Sequence, residues 1–262
     1  MLKPERYDKI VQIVNQNGSA TVEELAAVLE VSRATIRRDL VQLGENKVLH
    51  RTYGGAIKYD KTLAKEVPIH LRVHMQKEEK ERVATEAARL ITEGSTIFIG
   101  AGTTGHALAS KLDSFHHLTV VTNDIDVAKA VSCTDNGLLV VGGQLKKSSS
   151  TLYGFFAEEV LQQLRVDTAF MTADAIDPEK GFRDFDIDEI TIKRYVLQIA
   201  EHTVMMCDIS KFEKPAFVNI CSFSDVYAMV TNENVDLHII DMLRETGLRV
   251  ILAKDKKQTD IE

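Results

Sequence analysis

The chain has 262 residues, a formal net charge of −7 and 44% hydrophobic residues, enough for one large domain or for a small domain plus a medium one, with a full core. Its apolar runs are only strand length, as at Leu138 to Val141 and Val204 to Cys207, and its N-terminus is polar, so neither a membrane span nor a signal peptide is expected. Cys133, Cys207 and Cys221 are scattered and the eight histidines lack ligand spacing, which points to reduced thiols in a cytoplasmic setting, with no metal and no cofactor.

In chain order, a first helix is expected from about Glu5 to Gln16, with Ile10, Ile13 and Val14 on its apolar side and Asn17-Gly18 as its stop. Thr21-Val22-Glu23-Glu24 has the form of a capping box, in which Thr21 caps a second helix and Glu24 reaches back. That helix turns Val22, Leu25, Ala26 and Leu29 inward, and Glu30-Val31 links it to Ser32, itself a cap. Ser32 to Leu40 reads as a third helix with two faces. Ile36, Leu40 and Leu43 point into a core, while Arg33 and Arg37 lie four residues apart on another side with Arg38 beside them. A short helix of that kind suits the DNA major groove, where arginine forks onto guanine or phosphate. Two helices joined by a tight turn, the second rich in arginine, make a helix-turn-helix. Asp39 is read as an ion-pair partner of Arg37 or a neighbouring arginine. Val48 to Tyr53, Gly54-Gly55 and Ala56 to Tyr59 then read as strand, turn and strand. Such a hairpin is a wing, from which Arg51 and Lys58 would reach flanking phosphates. The DNA-contacting set is therefore Thr21, Ser32, Arg33, Ala34, Thr35, Arg37, Arg38, Arg51 and Lys58.

This segment resembles the DNA-binding domain of the DeoR/GlpR family of bacterial transcription regulators. The pattern opens with Arg6 followed by Ile10 and Val14, and closes with Ser32, Thr35, Ile36, Arg37, Arg38, Asp39 and Leu40. The unit is an α+β winged helix-turn-helix over residues 1–58. Residues 1–60 hold nine Lys/Arg against eight Asp/Glu, so the acidity is concentrated elsewhere in the chain. A module this weakly basic binds double-stranded operator DNA better with two footprints, and a homo-oligomer, dimer or tetramer, is expected.

Residues 59–76, mixed in charge and containing Pro68, are expected to be a linker. A helix follows from Lys77 to Ile91, with Gly94 as its end. Strand candidates are Thr96–Ile99, Leu118–Thr122, Leu138–Val141, Thr168–Thr172, Thr203–Cys207, Val226–Val230 and Arg249–Leu252, with helical stretches at 104–112, 125–132, 155–164, 187–200 and 235–246. Apolar strands separated by helices argue for an α/β layered domain with a mostly parallel sheet over residues 77–262. Ligands bind beyond the carboxyl ends of such strands. There the sequence places Gly102, Thr103 and Thr104 in a glycine-rich turn opening a helix, then Asn123, then Gly142 and Gly143, then Asp174, then Asp208 and Lys211. Glycines let the backbone approach a ligand, and the polar side chains suit a small polyhydroxy anion. The turn has neither the Walker pattern nor a dinucleotide fingerprint.

Residues 77 to about 253 resemble the DeoR/GlpR sensor domain, which is similar in fold to ribose-5-phosphate isomerase. The matching pieces are Glu79-Lys80, Gly102-Thr103-Thr104, Val121-Thr122-Asn123, Gly142-Gly143, Asp167 to Phe170, Ile176-Asp177 with Gly181, Lys193 and Asp208 to Lys211. The resemblance implies a phosphorylated sugar or polyol as effector. Two segments depart from the family: Thr172-Ala173-Asp174-Ala175 brings bulk where glycines are common, and Phe182-Arg183-Asp184-Phe185 replaces a smaller run. The reading is a repressor of a carbohydrate catabolic operon, relieved by a phosphorylated intermediate and without a membrane partner. The competing reading is a sugar-phosphate isomerase using Asp174, Asp208, Glu189 and Lys211 as acid, base and charge stabiliser. An isomerase has no need of a winged helix, so a non-enzymatic regulator is preferred.

Overall fold

The apolar spacing of the first sixty residues produces three helices and a small sheet. The computed structural model describes residues 2–17, 19–45, 48–51, 54–58, 69–73, 75–212, 216 and 218–255. It divides the chain into two compact units, Met1–Gln76 and Lys77–Glu262.

In the first unit, α1 (Lys3–Asn17) buries Ile10, Val11 and Val14. The capping box forms at α2 (Val22–Leu29): the Glu24 N–H donates to the Thr21 hydroxyl at 3.2 Å, and the Thr21 N–H donates to the Glu24 carboxylate at 2.7 Å. Glu30, at φ 52, then turns the chain into α3 (Arg33–Glu45), where the Thr35 N–H donates to the Ser32 hydroxyl at 3.1 Å. Ile36, Leu40 and Leu43 are fully buried against α1 and α2 residues. The wing strands are β2 (Leu49–Arg51) and β3 (Gly55–Lys58), shorter than the sequence suggests; Tyr53 and Tyr59 lie outside the described residues. A third strand, β1 (Ser19–Thr21), joins them in the order β1-β3-β2. It was not legible in the sequence, because three residues carry no alternation to read. Its closeness explains a glycine: a Cβ on Gly55 would sit 2.2 Å from the Ala20 carbonyl oxygen. Of the expected linker, residues 59–68 lie outside the described residues, and Ile69–Arg72 form the short helix α4.

Asp39 does not pair with Arg37, as the sequence suggests. Its carboxylate accepts from the Arg6 guanidinium at 2.6 and 3.3 Å, tying α1 to α3 across 33 residues. The reason is geometric: Asp39 lies beside Leu40 on the inner side of α3, 2% exposed, while Arg37 faces solvent.

In the second unit the elements run α5 (Lys77–Ala88), β4 (Thr96–Ile99), α6 (Thr103–Ala109), β5 (Thr119–Thr122), α7 (Ile125–Val131), β6 (Gly137–Val140), β7 (Gln144–Lys146), β8 (Thr151–Tyr153) and α8 (Phe155–Leu161). They continue with β9 (Val166–Met171), β10 (Ala175–Asp177), β11 (Gly181–Asp184), α9 (Ile187–Ile199), β12 (Ala200–Met206), β13 (Val218–Cys221), β14 (Ala228–Asn232), α10 (Leu237–Glu245) and β15 (Val250–Ala253). All seven strand candidates enter one sheet, ordered β15-β14-β12-β9-β4-β5-β6, with every pair parallel. Alternate side chains feed two cores. Phe98 joins Val121, Met205 and Leu161 on the α8–α9 face, while Ile97 and Ile99 join Val83, Leu108 and Val127 on the α5–α7 face. The helix expected to reach Ile91 ends at Ala88, yet Leu90 and Ile91 still pack against that second core. Two antiparallel additions were not anticipated, the β7–β8 hairpin and the sheet β10-β11-β13. The second absorbs the Phe182 to Asp184 segment, with Phe182 fully buried edge-on to Phe223.

Arg6→Ala leaves the Asp39 carboxylate buried without this partner. Unfolding of the N-terminal unit in urea is expected to show a loss of about 1–3 kcal/mol. Asp39→Ala on the same background should then cost less than it does alone, because the two side chains share one interaction. Strict additivity would mean that the pair does not stabilise the unit.

Candidate functional site

The sheet reverses its strand order at one point. From β4 the chain steps outward to β5 and β6; from β9 it steps the other way to β12, β14 and β15, and β4 and β9 are neighbours. Connections leaving such a pair on opposite faces open a crevice at the carboxyl ends of the strands. A small cleft lies there. Gly100 and Ala101 line it after β4, Asn123 after β5, Met171 and Thr172 at the end of β9, Thr151 from the hairpin, and Glu189, Ile192, Lys193 and Val196 from α9.

Each wall is fixed by local bonds. The Thr122 hydroxyl donates to the Ile99 carbonyl at 2.7 Å, and the Thr172 hydroxyl donates to the Ala101 carbonyl at 3.0 Å. Asp124 caps α7, accepting from the Asp126 and Val127 N–H groups at 2.8 and 2.9 Å, and its other oxygen accepts from the Gly102 N–H at 3.2 Å. The glycine-rich turn is thereby moored to the neighbouring helix. Gly105 is required by crowding, since its Cβ would lie 2.2 Å from the Gly100 carbonyl oxygen. Asn123 holds the hairpin: its side-chain amide donates to the Leu152 carbonyl at 2.9 Å, and its backbone carbonyl accepts from the Leu152 N–H at 2.7 Å.

The charged wall is α9, through residues that the sequence set did not include. Lys193 is paired with Asp184 of β11. Burial opposes its charge, but the carboxylates of Asp184, Glu189 and Asp174 outweigh burial and hold its pKa above the usual lysine value. Burial raises the Asp184 pKa, Lys193 offsets part of that rise, and Asp174 adds to it. Glu189 accepts from Lys146 at 3.0 Å and from the Ser149 hydroxyl at 2.7 Å, so the hairpin is fastened to α9; Lys146 also pairs with Asp186. The signal was present in the sequence. Glu189, Ile192, Lys193 and Val196 fall at helical spacing on one face, and charges on an otherwise buried face mark a site or a pair.

Of the sequence-predicted effector residues, Asn123 lines the cleft, whereas Gly102 and the first residues of α6, Thr103 and Thr104, are not in its lining but follow Ala101, which is. Gly142 and Gly143 do not line it; they lead from β6 into the hairpin. Asp174 and Lys211 are buried 3.8 Å apart, and Asp174 connects them electrostatically to Asp184 and Lys193. Asp208 is fully buried and accepts from the Ser210 N–H at 2.9 Å as the cap of a short turn. Of the four groups named for an isomerase, Glu189 lines the cleft, while Asp174 and Lys211 lie against each other outside its lining. Cys207 and Cys221 are held as thiols, pushed up to about 12 by burial. Among the described residues no cluster of His, Cys, Asp and Glu could hold a metal ion, and no helix is long and apolar enough to cross a membrane.

In the first unit, Ser32, Arg33, Ala34, Arg37 and Arg38 are exposed at the start and along the outer side of α3, with Thr35 half-buried. Arg33 lies 3.6 Å from Glu23 in an exposed pair. Thr21 is occupied in its cap, where its hydroxyl also donates to Glu24 at 2.9 Å. The strands carrying Arg51 and Lys58 are formed, but these two side chains lie outside the described residues.

The family model for the DeoR C-terminal sensor domain matches residues 75–233, and the model for the DeoR-like helix-turn-helix domain matches residues 6–62. The glycerol-3-phosphate regulon repressor of Escherichia coli K12 is 32% identical over 254 residues, which is 97% of this chain and 100% of that protein. A putative aga operon transcriptional repressor of Escherichia coli O157:H7 is 32% identical over 251 residues, 95% of this chain and 93% of that one. A solved ribose 5-phosphate isomerase A from Methanocaldococcus jannaschii aligns with 53% of this chain and 56% of its own, at 19% identity and a TM-score of 0.40.

Asp124 offers a pH test of the mooring. Burial pushes its pKa up to about 6, against the N–H bonds from Val127 and Gly102 that favour the charged form. Between the ordinary carboxylate range and that value, the folded chain keeps a proton that the unfolded chain has lost. The stability this group contributes is therefore fully present at low pH and lost as pH rises through the window. Asp124→Asn should flatten the melting temperature against pH between about 4 and 6. An unchanged slope would assign that proton to another carboxyl.

Proposed function

The chain belongs to the DeoR family of helix-turn-helix transcription regulators, and on that premise we propose that it represses a carbohydrate catabolic operon and is released by a phosphorylated sugar or polyol. The observation that carries the effector half is the cleft at the strand-order reversal, with a buried, charged Lys193 beside Asn123, Glu189 and the Gly102 turn. Asp184 already matches Lys193, so the anionic group is assigned to the turn that opens α6, and the amide and carboxylate in the cleft suit hydroxyls. Thr103 and Thr104, with the backbone N–H groups of the turn, supply further donors to the same anion. Relatives named as repressors of a glycerol-3-phosphate regulon and of an aga operon support the same class of effector. The reading involves no catalytic step.

The DNA half rests on α3. Arg37 and Arg38 are exposed while Asp39, Leu40 and Leu43 anchor the helix from behind. Arginines held this way contact guanine edges or phosphates. Control requires the effector to bind one arrangement of the protein better than the other. Glu189 supplies a lever, because it both lines the cleft and holds Lys146 and Ser149 of the hairpin. An effector hydroxyl that takes Glu189 competes with the hairpin for it.

Fluorescence anisotropy with DNA from upstream of the chain's own gene tests both halves, with and without a panel of sugar and polyol phosphates. Tight, salt-sensitive binding that one of the phosphates releases is expected; release by none of them counts against the effector reading. Arg37→Ala should weaken binding and, if Arg37 meets a phosphate, lower the salt slope by about 1. Unchanged affinity would remove α3 from the interface. Thr103→Asp should abolish the effector response while leaving DNA affinity intact, and a full response in that variant would take the turn out of the site.

A further inference from the structure

We propose that the β7–β8 hairpin is a lid over the cleft, shut by a catch that Lys146 and Ser149 make on α9 and hinged at the glycines on either side of it. The ligand it admits is the effector proposed above, and in that respect the inference rests on that reading. Burial shows why a lid is needed. Three of the polar side chains that line the cleft are closed off from water, with Asn123 3%, Thr151 1% and Glu189 7% exposed. A polar solute reaches them only if one wall moves.

Most of the walls are fixed. β4, β5 and β9 are interior strands, each paired on both sides. α9 buries Ile190, Ile192, Val196 and Ile199, and its Arg194 donates to the Asn219 carbonyl at 2.7 Å. The hairpin is built differently. Its strands have three residues each and form a two-stranded sheet of their own, an arrangement that is marginal without outside support. Gln144, Leu145, Lys147 and Ser148 are exposed on it, while Ser149 and Thr151 are buried. Lids are drawn from such weakly held segments, because they must open without unfolding the rest.

The outside support is of two kinds. Toward β5 it is largely backbone: the Leu152 N–H donates to the Asn123 carbonyl at 2.7 Å, and the Ile125 N–H donates to the Ser150 carbonyl at 3.1 Å. Toward α9 it is side chains. The Ser149 hydroxyl and the Lys146 ammonium both donate to one oxygen of Glu189, at 2.7 and 3.0 Å, and Lys146 also pairs with Asp186. Side-chain bonds of this kind release by rotation about single bonds, with no loss of sheet pairing. Ser150, at φ 59, is left-handed without being glycine, a strain that the catch holds in place and that opening relieves. Glycines stand at both feet of the hairpin. Gly142 and Gly143 lead in, Gly154 leads out, and Gly143 and Gly154 take φ 155 and 91. Tyr153, half-buried against the core beside Gly154, is the pivot. Gly142 and Gly143, which the sequence places among the effector residues and which do not line the cleft, thereby act on it as a hinge.

Hydrogen exchange of the full chain, read by mass spectrometry on peptides from 144–153, tests the lid without any ligand. These amides are expected to exchange roughly tenfold or more faster than those of β5, β9 and α9, and with little dependence on low urea, as a local opening requires. Ser149→Ala should speed the hairpin alone by about tenfold, the loss of one hydrogen bond to a charged group. Gly142→Ala, where nothing lies within 4 Å of the added Cβ, should slow it by about two- to fivefold by stiffening the hinge. Hairpin amides that exchange only together with β5 and α9, at the same urea dependence, overturn the lid. So does an unchanged hairpin rate in both variants. Wild-type urea dependence decides if either variant loses the circular dichroism of the parent. Ribose 5-phosphate and glycerol 3-phosphate are then added in turn. One that binds should raise the hairpin rate, by taking Glu189 from the catch, and one that binds while leaving the rate unchanged overturns that competition. Binding by neither counts against the effector reading, while the ligand-free rates still decide the lid.

Discussion

Parallel strands send all their carboxyl ends to one edge, and the rest of the large unit follows from how the connections leave that edge. β4 leads through its glycine turn into α6 on one face, while β9 leads through β10 and β11 into α9 on the other. The two connections leave on opposite faces, so the crevice is a consequence of topology before any side chain is chosen. The residues then decide its character. Phe98 and Met171 make part of its floor apolar, and Asn123, Thr151 and Thr172 bring polar groups that are already committed to holding neighbouring segments.

Placing charge in that crevice is costly unless every ion is matched. Lys193 is matched by Asp184, Asp184 lies against Asp174, and Asp174 lies 3.8 Å from Lys211. Glu189 turns toward Lys146 and Ser149. The result is a chain of charges, with the Asp184 and Asp174 carboxyls adjacent in it, running from the hairpin, past the cleft, to the end of β12. A ligand that engages one member changes the balance at the next, because buried charges are weakly screened. This gives the cleft a physical route to the hairpin, whose outer strand also carries exposed Leu145.

The N-terminal unit solves a smaller problem in the same way. Its core is thin, and one buried ion pair fixes the arginine helix against the first helix. Arg6 and Asp39 open and close the sequence pattern of this unit and meet in space at 2.6 Å. The outward direction of Arg37 and Arg38 follows from the burial of Ile36, Leu40 and Leu43 on the other side of α3, which that pair reinforces.

Periodicity and turn chemistry determined much of this protein by themselves. The three N-terminal helices, the Thr21 capping box and all seven strands of the parallel sheet were readable, because each rests on spacing within a few residues. So was the place of the cleft at the carboxyl edge, since that follows from the parallel sheet alone. Only the tertiary structure decided which polar residues share a cleft. Asn123, Glu189 and Lys193 come from separate elements, and Asp208, equally suggestive in sequence, is consumed as a cap. The partner of Asp39, the strand at Ser19–Thr21, the β7–β8 hairpin and the sheet around Phe182 were likewise invisible beforehand. Their interactions join residues distant in the chain or run for only three or four residues. Local pattern carries no information about a contact whose energy depends on what the rest of the fold brings alongside.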